Sequence, residues 1–261
     1  MDVDGTMAVY PRNREFDRSP MELLEDLVME KENLSREEAL RRIRSCGDTA
    51  VHCLSEFLDE LGIPAQRYFD ALRASVADNL TVPADTVRLF DFLTENGFEL
   101  YTATTNSPFM TWAKLSVAGL ASPEGSPYIT GCFPGCAFRD PRGKNDPLYY
   151  DKILGTGRFD PACCVMIGDV PEKDALPALR AGMRYGVNID RTQPTPCFTR
   201  DGVLYINSFD VLIPMLEKAP SWAETSASDC RSGFARFDRP QRQVRNNTLA
   251  NTVCDSGRAT D

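Results

Sequence analysis

The sequence predicts an α/β protein in which a parallel sheet is covered by helices on both faces and interrupted by a helical insertion. Between residues 83 and 206, short apolar runs alternate with helical patterns, and this alternation is typical of parallel strands joined by helices. Residues 162–167 are continuously apolar, as expected for a strand buried on both faces. Residues 13–82 contain helical patterns only.

The size and the charge of the chain argue against general binding to nucleic acids or membranes. With 261 residues the chain is long enough for one domain with an insertion. A formal net charge of -9 opposes general binding to nucleic acids and anionic membranes. The nine cysteines lack the spacing of a small disulfide scaffold, and no apolar run is long enough to span a bilayer. We therefore expect a cytoplasmic protein that binds neither nucleic acid nor membrane.

Within the insertion, apolar residues recur at helical spacing in residues 21–28, 51–61 and 68–72. Ser35 followed by Glu38 forms a capping box that predicts the start of another helix. The single histidine, His52, lies in this region, and we expect a structural role for it, as is usual for a lone histidine on an amphipathic helix.

The remaining residues predict alternating elements. The helical patterns cover 87–93, 108–117, 147–154 and 174–181, and the strand patterns cover 98–105, 162–167, 185–189 and 203–206. Residues 121–143 are rich in glycine and proline and are left unassigned. Cys132 and Cys136 in this segment could form half of a zinc site, but the sequence has no second pair of cysteine or histidine ligands that matches them. We therefore expect their thiols to lie in a loop without a metal.

These patterns divide the chain into three parts. We predict a discontinuous core formed by residues 1–12 and 83–219, a helical cap formed by residues 13–82, and a disordered or weakly ordered tail formed by residues 220–261.

The chemistry begins with Asp2-Val3-Asp4-Gly5-Thr6. In an extended segment the two aspartates leave the backbone on the same side, and such close carboxylates repel unless a cation lies between them. Mg²⁺ is the natural ion for this oxygen-rich setting. Alone, the motif also fits a solvated Asp-Gly turn. Thr105-Asn106 and Gly168-Asp169 lie at the carboxyl ends of two predicted strands, the edge where parallel sheets bind ligands, so the metal interpretation is favoured.

Four segments now stand in order: Asp2–Thr6, Thr105-Asn106, Lys144, and Gly168–Asp174. This order resembles the haloacid dehalogenase superfamily of phosphatases over residues 1 to about 215, although Asn145 stands where that family usually has proline. The resemblance implies a Rossmann-like core, and the helical insertion resembles the family's type 1 cap. Within this branch the chain looks most like the pyrimidine 5′-nucleotidase-like members, followed by the phosphoglycolate phosphatase-like members.

The resemblance implies a role for each acidic residue. Asp2 would be the nucleophile that forms an aspartyl-phosphate. Asp4, held protonated by its acidic setting, would act as general acid and base, and its backbone carbonyl would bind Mg²⁺. Asp169 would complete the metal shell and Asp174 would support it.

The resemblance also implies the residues that hold the phosphoryl group. Thr105 and the amide of Asn106 would bind its oxygens, with Thr104 as the alternative to Thr105. Lys144 would neutralise charge at the carboxylates and the phosphoryl group, with Lys152 as the competing candidate for this position.

Family members have a central buried strand before the first aspartate, whereas here only Met1 precedes Asp2. We therefore expect that the first central strand is missing from this sequence and that the chain begins further upstream or is truncated. The expected function is Mg²⁺-dependent hydrolysis of a small phosphorylated metabolite, nucleotides included. The alternative is a catalytically inactive or truncated relative that acts as a binding or scaffold protein. The sequence does not predict an oligomeric state.

Overall fold

The computed structural model describes residues 1–11, 14–137 and 143–218. The helices in these ranges are α1 (Pro20–Glu32), α2 (Arg36–Cys46), α3 (Leu58–Leu61), α4 (Ala65–Ala77), α5 (Ala84–Glu95), α6 (Pro108–Ser116), α7 (Tyr149–Gly155), α8 (Ala175–Arg180) and α9 (Phe209–Lys218). The strands are β1 (Tyr101–Ala103), β2 (Gly131–Phe133), β3 (Val165–Gly168), β4 (Tyr185–Ile189), β5 (Cys197–Arg200) and β6 (Val203–Ile206).

The strands form two sheets. β1 pairs with β2 in parallel, and the larger sheet has the order β3-β4-β6-β5, in which only β5 is antiparallel to its neighbour. The predicted parallel α/β fold is therefore confirmed. The short strand β2 lies in the unassigned segment. The edge strand β5 was missed because three of its four residues are exposed, so it lacks a buried apolar pattern.

A short link joins the two sheets. The Met1 amine donates to the Tyr101 carbonyl at 2.8 Å, and the Ala103 N–H donates back to Met1 at 2.8 Å. On the other side, the Asp2 N–H donates to the Ile167 carbonyl at 2.8 Å. Among the described residues, no strand of three or more residues lies between β1 and β3. An apolar cavity of about 160 Å³ lies beside the link, lined by Met1 and by residues of β1, β3 and α9.

The insertion has its own apolar core. Buried leucine, isoleucine and aromatic residues of α1–α4 pack together and against Met110 and Ala113 of α6. The predicted capping box is present, because the Ser35 hydroxyl accepts the Glu38 N–H and the Glu38 carboxylate accepts the Ser35 N–H. The predicted helix over 51–61 is wrong in its first part, since a turn and a 3-10 segment at Leu54–Phe57 precede α3.

Other differences concern the ends of elements and the tail. The predicted strand over 98–105 forms only at Tyr101–Ala103, because the Phe98 N–H closes α5 by donating to Leu93 and the chain turns after Ala103. The predicted tail at 220–261 lies outside the described residues, and the division into core and cap domains stays a prediction.

None of the described helices combines the length and the apolar character that crossing a membrane requires.

A buried carboxylate ties the core to the first loop. Asp85 in α5 accepts hydrogen bonds from the Ser208 hydroxyl and the Phe209 N–H at the start of α9, at 2.8 and 2.9 Å. It also pairs with the Arg191 guanidinium at 2.8 Å. Arg191 in turn donates to the Thr6 carbonyl at 3.1 Å. The loop that carries the first two aspartates is thereby fastened to α5 and to the segment after β4.

We expect Asp85→Ala to lower the free energy of unfolding by about 3 kcal/mol, because it leaves a partly buried guanidinium without its carboxylate. Arg88→Ala is the matched control, since the Arg88–Asp210 pair is about half exposed on both sides and its loss should cost less than about 1 kcal/mol. Urea unfolding of the two variants measures the difference. Equal losses would show that the Asp85 network does not stabilise the fold as described.

Candidate active site

The structure brings four of the predicted residues together at the carboxyl end of β3. The Lys144 ammonium donates to the carboxylates of Asp2 at 2.5 Å and of Asp174 at 2.6 Å. All three side chains are nearly buried. The carboxylate oxygens of Asp2, Asp169 and Asp174 lie within 4.8 Å of one another. Residues far apart in the sequence therefore form one compact charged cluster.

The cluster carries more negative than positive charge. Burial, Asp2 and Asp174 raise the pKa of Asp169 to about 7. Burial and the neighbouring Asp174 also raise the pKa of Asp2, although Lys144 opposes this. A cation bound between the three carboxylates would relieve this repulsion. The donors are all carboxylate oxygens, so these residues fit Mg²⁺.

Two glycines allow the carboxylates to approach the backbone this closely. Gly5 has φ +74°, and a Cβ there would lie 2.0 Å from the Asp169 carboxylate. A Cβ on Gly168 would lie 2.2 Å from the Asp174 carboxylate. Any other residue at either position would displace an aspartate of the cluster, and at Gly5 it would also strain the backbone.

Asp4 lies apart from this cluster. Its carboxylate accepts hydrogen bonds from the Lys114 ammonium and the Asn106 side-chain amide, both at 2.6 Å, and from the Tyr10 hydroxyl. Burial acts to raise the pKa of Asp4, but Lys114 and the hydrogen bonds outweigh it and lower the pKa. The expectation that Asp4 is held protonated is therefore wrong for this arrangement. Its carboxylate is not among the three clustered ligands, and metal binding by its carbonyl stays a prediction.

Lys114 is a site residue that the sequence did not predict. This side chain is fully buried, and its ammonium lies 2.6 Å from both Asp4 and Glu15 and 3.2 Å from the Asn106 carbonyl oxygen. A buried lysine is costly unless it is paired, which the two carboxylates provide. Lys114 follows the buried Met110 by four residues on the same face of α6. A lysine on an apolar helix face was the available sequence clue.

The polar residues after β1 have different surroundings. Thr104 is buried and its hydroxyl accepts hydrogen bonds from the N–H and the side-chain amide of Asn106 at 3.2 and 3.1 Å. Thr105 is exposed, and a Cβ on Gly143 would lie 3.1 Å from its methyl group. Thr105 thus lies accessible next to the residue that precedes Lys144. The backbone N–H and the side-chain amide of Asn106 already donate to Thr104 and Asp4. Phosphate binding by the amide of Asn106 would therefore replace one of these hydrogen bonds, and it stays a prediction.

The structure also separates the two candidate lysines. Lys152 forms an ion pair with Asp146, whereas Lys144 contacts the carboxylates of the cluster.

A search with family models identifies the chain. The haloacid dehalogenase-like hydrolase model matches residues 1–182. The chain belongs to this family of hydrolases. No curated protein matches the sequence.

Three solved structures are similar to the chain at low identity. A phosphatase from Thermococcus onnurineus is 21% identical with a TM-score of 0.47, over 82% of this chain and 95% of that one. A structure described as a beta-phosphoglucomutase from Thermotoga maritima is 15% identical with a TM-score of 0.47, over 83% and 96%. A 2-haloacid dehalogenase from Pseudomonas syringae is 18% identical with a TM-score of 0.48, over 83% and 96%.

We expect Asp169→Asn to stabilise the protein in EDTA at pH 8, because a carboxyl whose pKa rises from 3.8 to about 7 on folding destabilises the folded state once it must ionise. The effect should vanish near pH 3, where this carboxyl is protonated in the folded state and largely so in the unfolded state. One pKa unit corresponds to about 1.4 kcal/mol, and partial solvation reduces the sum, so we expect about 2 kcal/mol at pH 8.

Thermal unfolding at both pH values measures this difference. The exposed Asp151→Asn is the control and should change stability little at either pH. Millimolar Mg²⁺ should raise the melting temperature of the wild type more than that of Asp169→Asn. A variant that is destabilised in EDTA at pH 8 would contradict the repulsion described for this cluster.

Proposed function

We propose that the chain is a Mg²⁺-dependent phosphomonoester hydrolase that acts through an aspartyl-phosphate on Asp2. The observation that supports this most is the cluster of Asp2, Lys144, Asp169 and Asp174 at the carboxyl end of β3. A carboxylate nucleophile needs a partner that neutralises its repulsion toward a phosphate dianion, and Lys144 contacts Asp2 directly. Asp2, Asp169 and Asp174 would hold the metal, which when bound supplies charge neutralisation for the carboxylates and the phosphate.

In the first step an oxygen of Asp2 attacks phosphorus and the bond from phosphorus to the leaving oxygen breaks. Lys144 keeps the Asp2 carboxylate oriented and offsets the charge that gathers on the phosphoryl oxygens. Thr105, exposed beside Gly143, is available to donate its hydroxyl to one of these oxygens. In the second step water attacks phosphorus, the bond to Asp2 breaks and inorganic phosphate is released.

Asp4 would move the protons of both steps. Lys114, Asn106 and Tyr10 stabilise its carboxylate before substrate binds. The negative charge of a bound phosphate raises the pKa of a nearby carboxyl, so Asp4 takes up a proton and transfers it to the leaving oxygen. The restored carboxylate then accepts a proton from the attacking water. Asp4, with Lys114, Asn106 and Tyr10 around it, thus acts as general acid in the first step and as general base in the second.

The helical insertion would act as a cap that covers the site and selects the leaving group. Glu15, at the start of this insertion, reaches the buried Lys114 and through it Asp4, so the insertion and the acid–base group are in electrostatic contact. The substrate is a small phosphorylated metabolite, nucleotides included, and we place the reaction in the cytoplasm.

We expect Asp2→Asn to abolish hydrolysis of p-nitrophenyl phosphate, because an amide is a poor nucleophile toward phosphorus. EDTA should abolish turnover by the wild type, and Mg²⁺ should restore it. Asp151→Asn, on the exposed face of α7, should retain wild-type rates. Phosphate binding without any turnover by the wild type would instead favour the alternative of an inactive relative that acts as a binding or scaffold protein.

We expect Lys144→Met to reduce kcat by about 10²- to 10³-fold, the usual effect of removing one charge-stabilising group. Lys152→Met is the matched control, because Lys152 pairs with Asp146 and not with the cluster. Steady-state kinetics of both variants, with thermal unfolding to verify folding, makes the comparison. A larger loss in Lys152→Met than in Lys144→Met would reverse the assignment.

A further inference from the structure

We propose that Cys53, Glu56 and Cys136 bind a thiophilic divalent cation, Zn²⁺, at a second site that joins the helical insertion to the core. Cys53 and Glu56 belong to the segment before α3, whereas Cys136 lies in the 3-10 turn that follows β2. This site is independent of the carboxylate cluster and of the proposed phosphatase reaction.

The three side chains already converge. The two cysteine sulfurs and a Glu56 carboxylate oxygen all lie within 4.8 Å of one another. In a tetrahedral zinc site, bonds of about 2.3 Å to sulfur place two sulfurs about 3.8 Å apart. Movements of about 1 Å or less would therefore bring the three ligands to coordinating distance. Cys136, which the sequence pairs only with Cys132, meets Cys53 instead.

The carboxylate is held in position by its neighbours. One oxygen of Glu56 accepts the Cys53 N–H at 2.9 Å, and the other lies 3.0 Å from the His52 Nδ1 atom. A carboxylate oxygen accepts at more than one lone pair, so these hydrogen bonds are compatible with a bond to a metal. Hydrogen bonds of this kind orient ligands in metal sites and tune their affinity. The lone histidine thus acquires a defined role, as the residue that orients a ligand.

The site offers both protection and access. Cys53 is 2% exposed, whereas Glu56 is open to solvent, so an ion can enter beside the carboxylate. Two sulfurs and one oxygen favour Zn²⁺, whereas the all-oxygen cluster at Asp2 favours Mg²⁺. Water would complete the fourth position. Binding converts two thiols to thiolates and releases their two protons.

An ion at this site would connect two parts of the chain that face each other. Cys136 precedes Lys144 by eight residues, and Cys53 belongs to the insertion. A bound ion would therefore tie the insertion to the 3-10 turn at Gly135–Ala137 of the core. We expect Zn²⁺ to raise the melting temperature even in excess Mg²⁺.

The first experiment uses the unaltered full chain, reduced and kept in millimolar Mg²⁺ to occupy the carboxylate cluster. Titration with Co²⁺ as a spectroscopic probe should produce a thiolate-to-cobalt charge-transfer band that saturates at one equivalent, and Zn²⁺ should abolish it by displacement. Zn²⁺ should also slow alkylation of Cys136, the more accessible of the two cysteines, by iodoacetamide, read by peptide mass mapping. Absence of the band, or alkylation of Cys136 at an unchanged rate, would overturn the proposal.

The second experiment uses variants. Cys53→Ser and Cys136→Ser should each lose the band, and Glu56→Gln should weaken Co²⁺ binding by at least about tenfold. Cys46→Ser and Cys197→Ser, which lie in α2 and β5, are the controls and should retain it. Because Glu56 is exposed, its variant should fold even if a cysteine variant does not. A band that persists in both Cys53→Ser and Cys136→Ser, or a metal-free Cys53–Cys136 disulfide that forms in place of metal binding, would refute the site.

Discussion

Like charges held at short range, and the cations that balance them, govern the organisation of this protein. Asp2, Asp169 and Asp174 lie within 4.8 Å of one another, and Lys144 contacts two of them. Such a cluster persists only because the surrounding backbone fixes it, with glycine at the two closest approaches. The loop that carries Asp2 is also held by Arg191, which donates to Asp85 and to the Thr6 carbonyl. Much of the fold near β3 serves to keep these charges together.

Two buried lysines give the two aspartates of the first loop different properties. Burial raises the pKa of Asp2, and Lys144, which also contacts Asp174, offsets this only in part. Lys114 serves Asp4 with help from hydrogen-bond donors, and the pKa of Asp4 is lowered. Carboxyls in different environments are suited to different steps of one reaction. Spacing alone suggests that the two aspartates face the same ion, whereas their partners in the structure separate them.

Local pattern was sufficient to predict the elements that are buried and regular. Strands β4 and β6 occur at the predicted residues, and most of their residues are buried. The continuous apolar run over 162–167 was predicted as one strand, but its first residues belong to a 3-10 turn and β3 begins at Val165. The resemblance carried by the order of the motifs implied that Asp2, Lys144, Asp169 and Asp174 lie together, as they do in the structure. Lys114 could not be found in this way, because its two carboxylate partners lie about a hundred residues away in the sequence. The meeting of Cys53 with Cys136 was hidden for the same reason.

The hydrogen-bonded link between β1 and β3 affects the order in which the protein loses its structure on unfolding. The hydrogen bonds of Met1 and Asp2 that hold the two sheets together also fix the backbone of Asp2, and an apolar cavity lies beside them. Heating, denaturant or a bulky solute that enters the cavity and breaks these hydrogen bonds would displace the backbone of the first aspartate. We therefore expect the carboxylate cluster to lose its order before the helices unfold, so that the two losses are separate events.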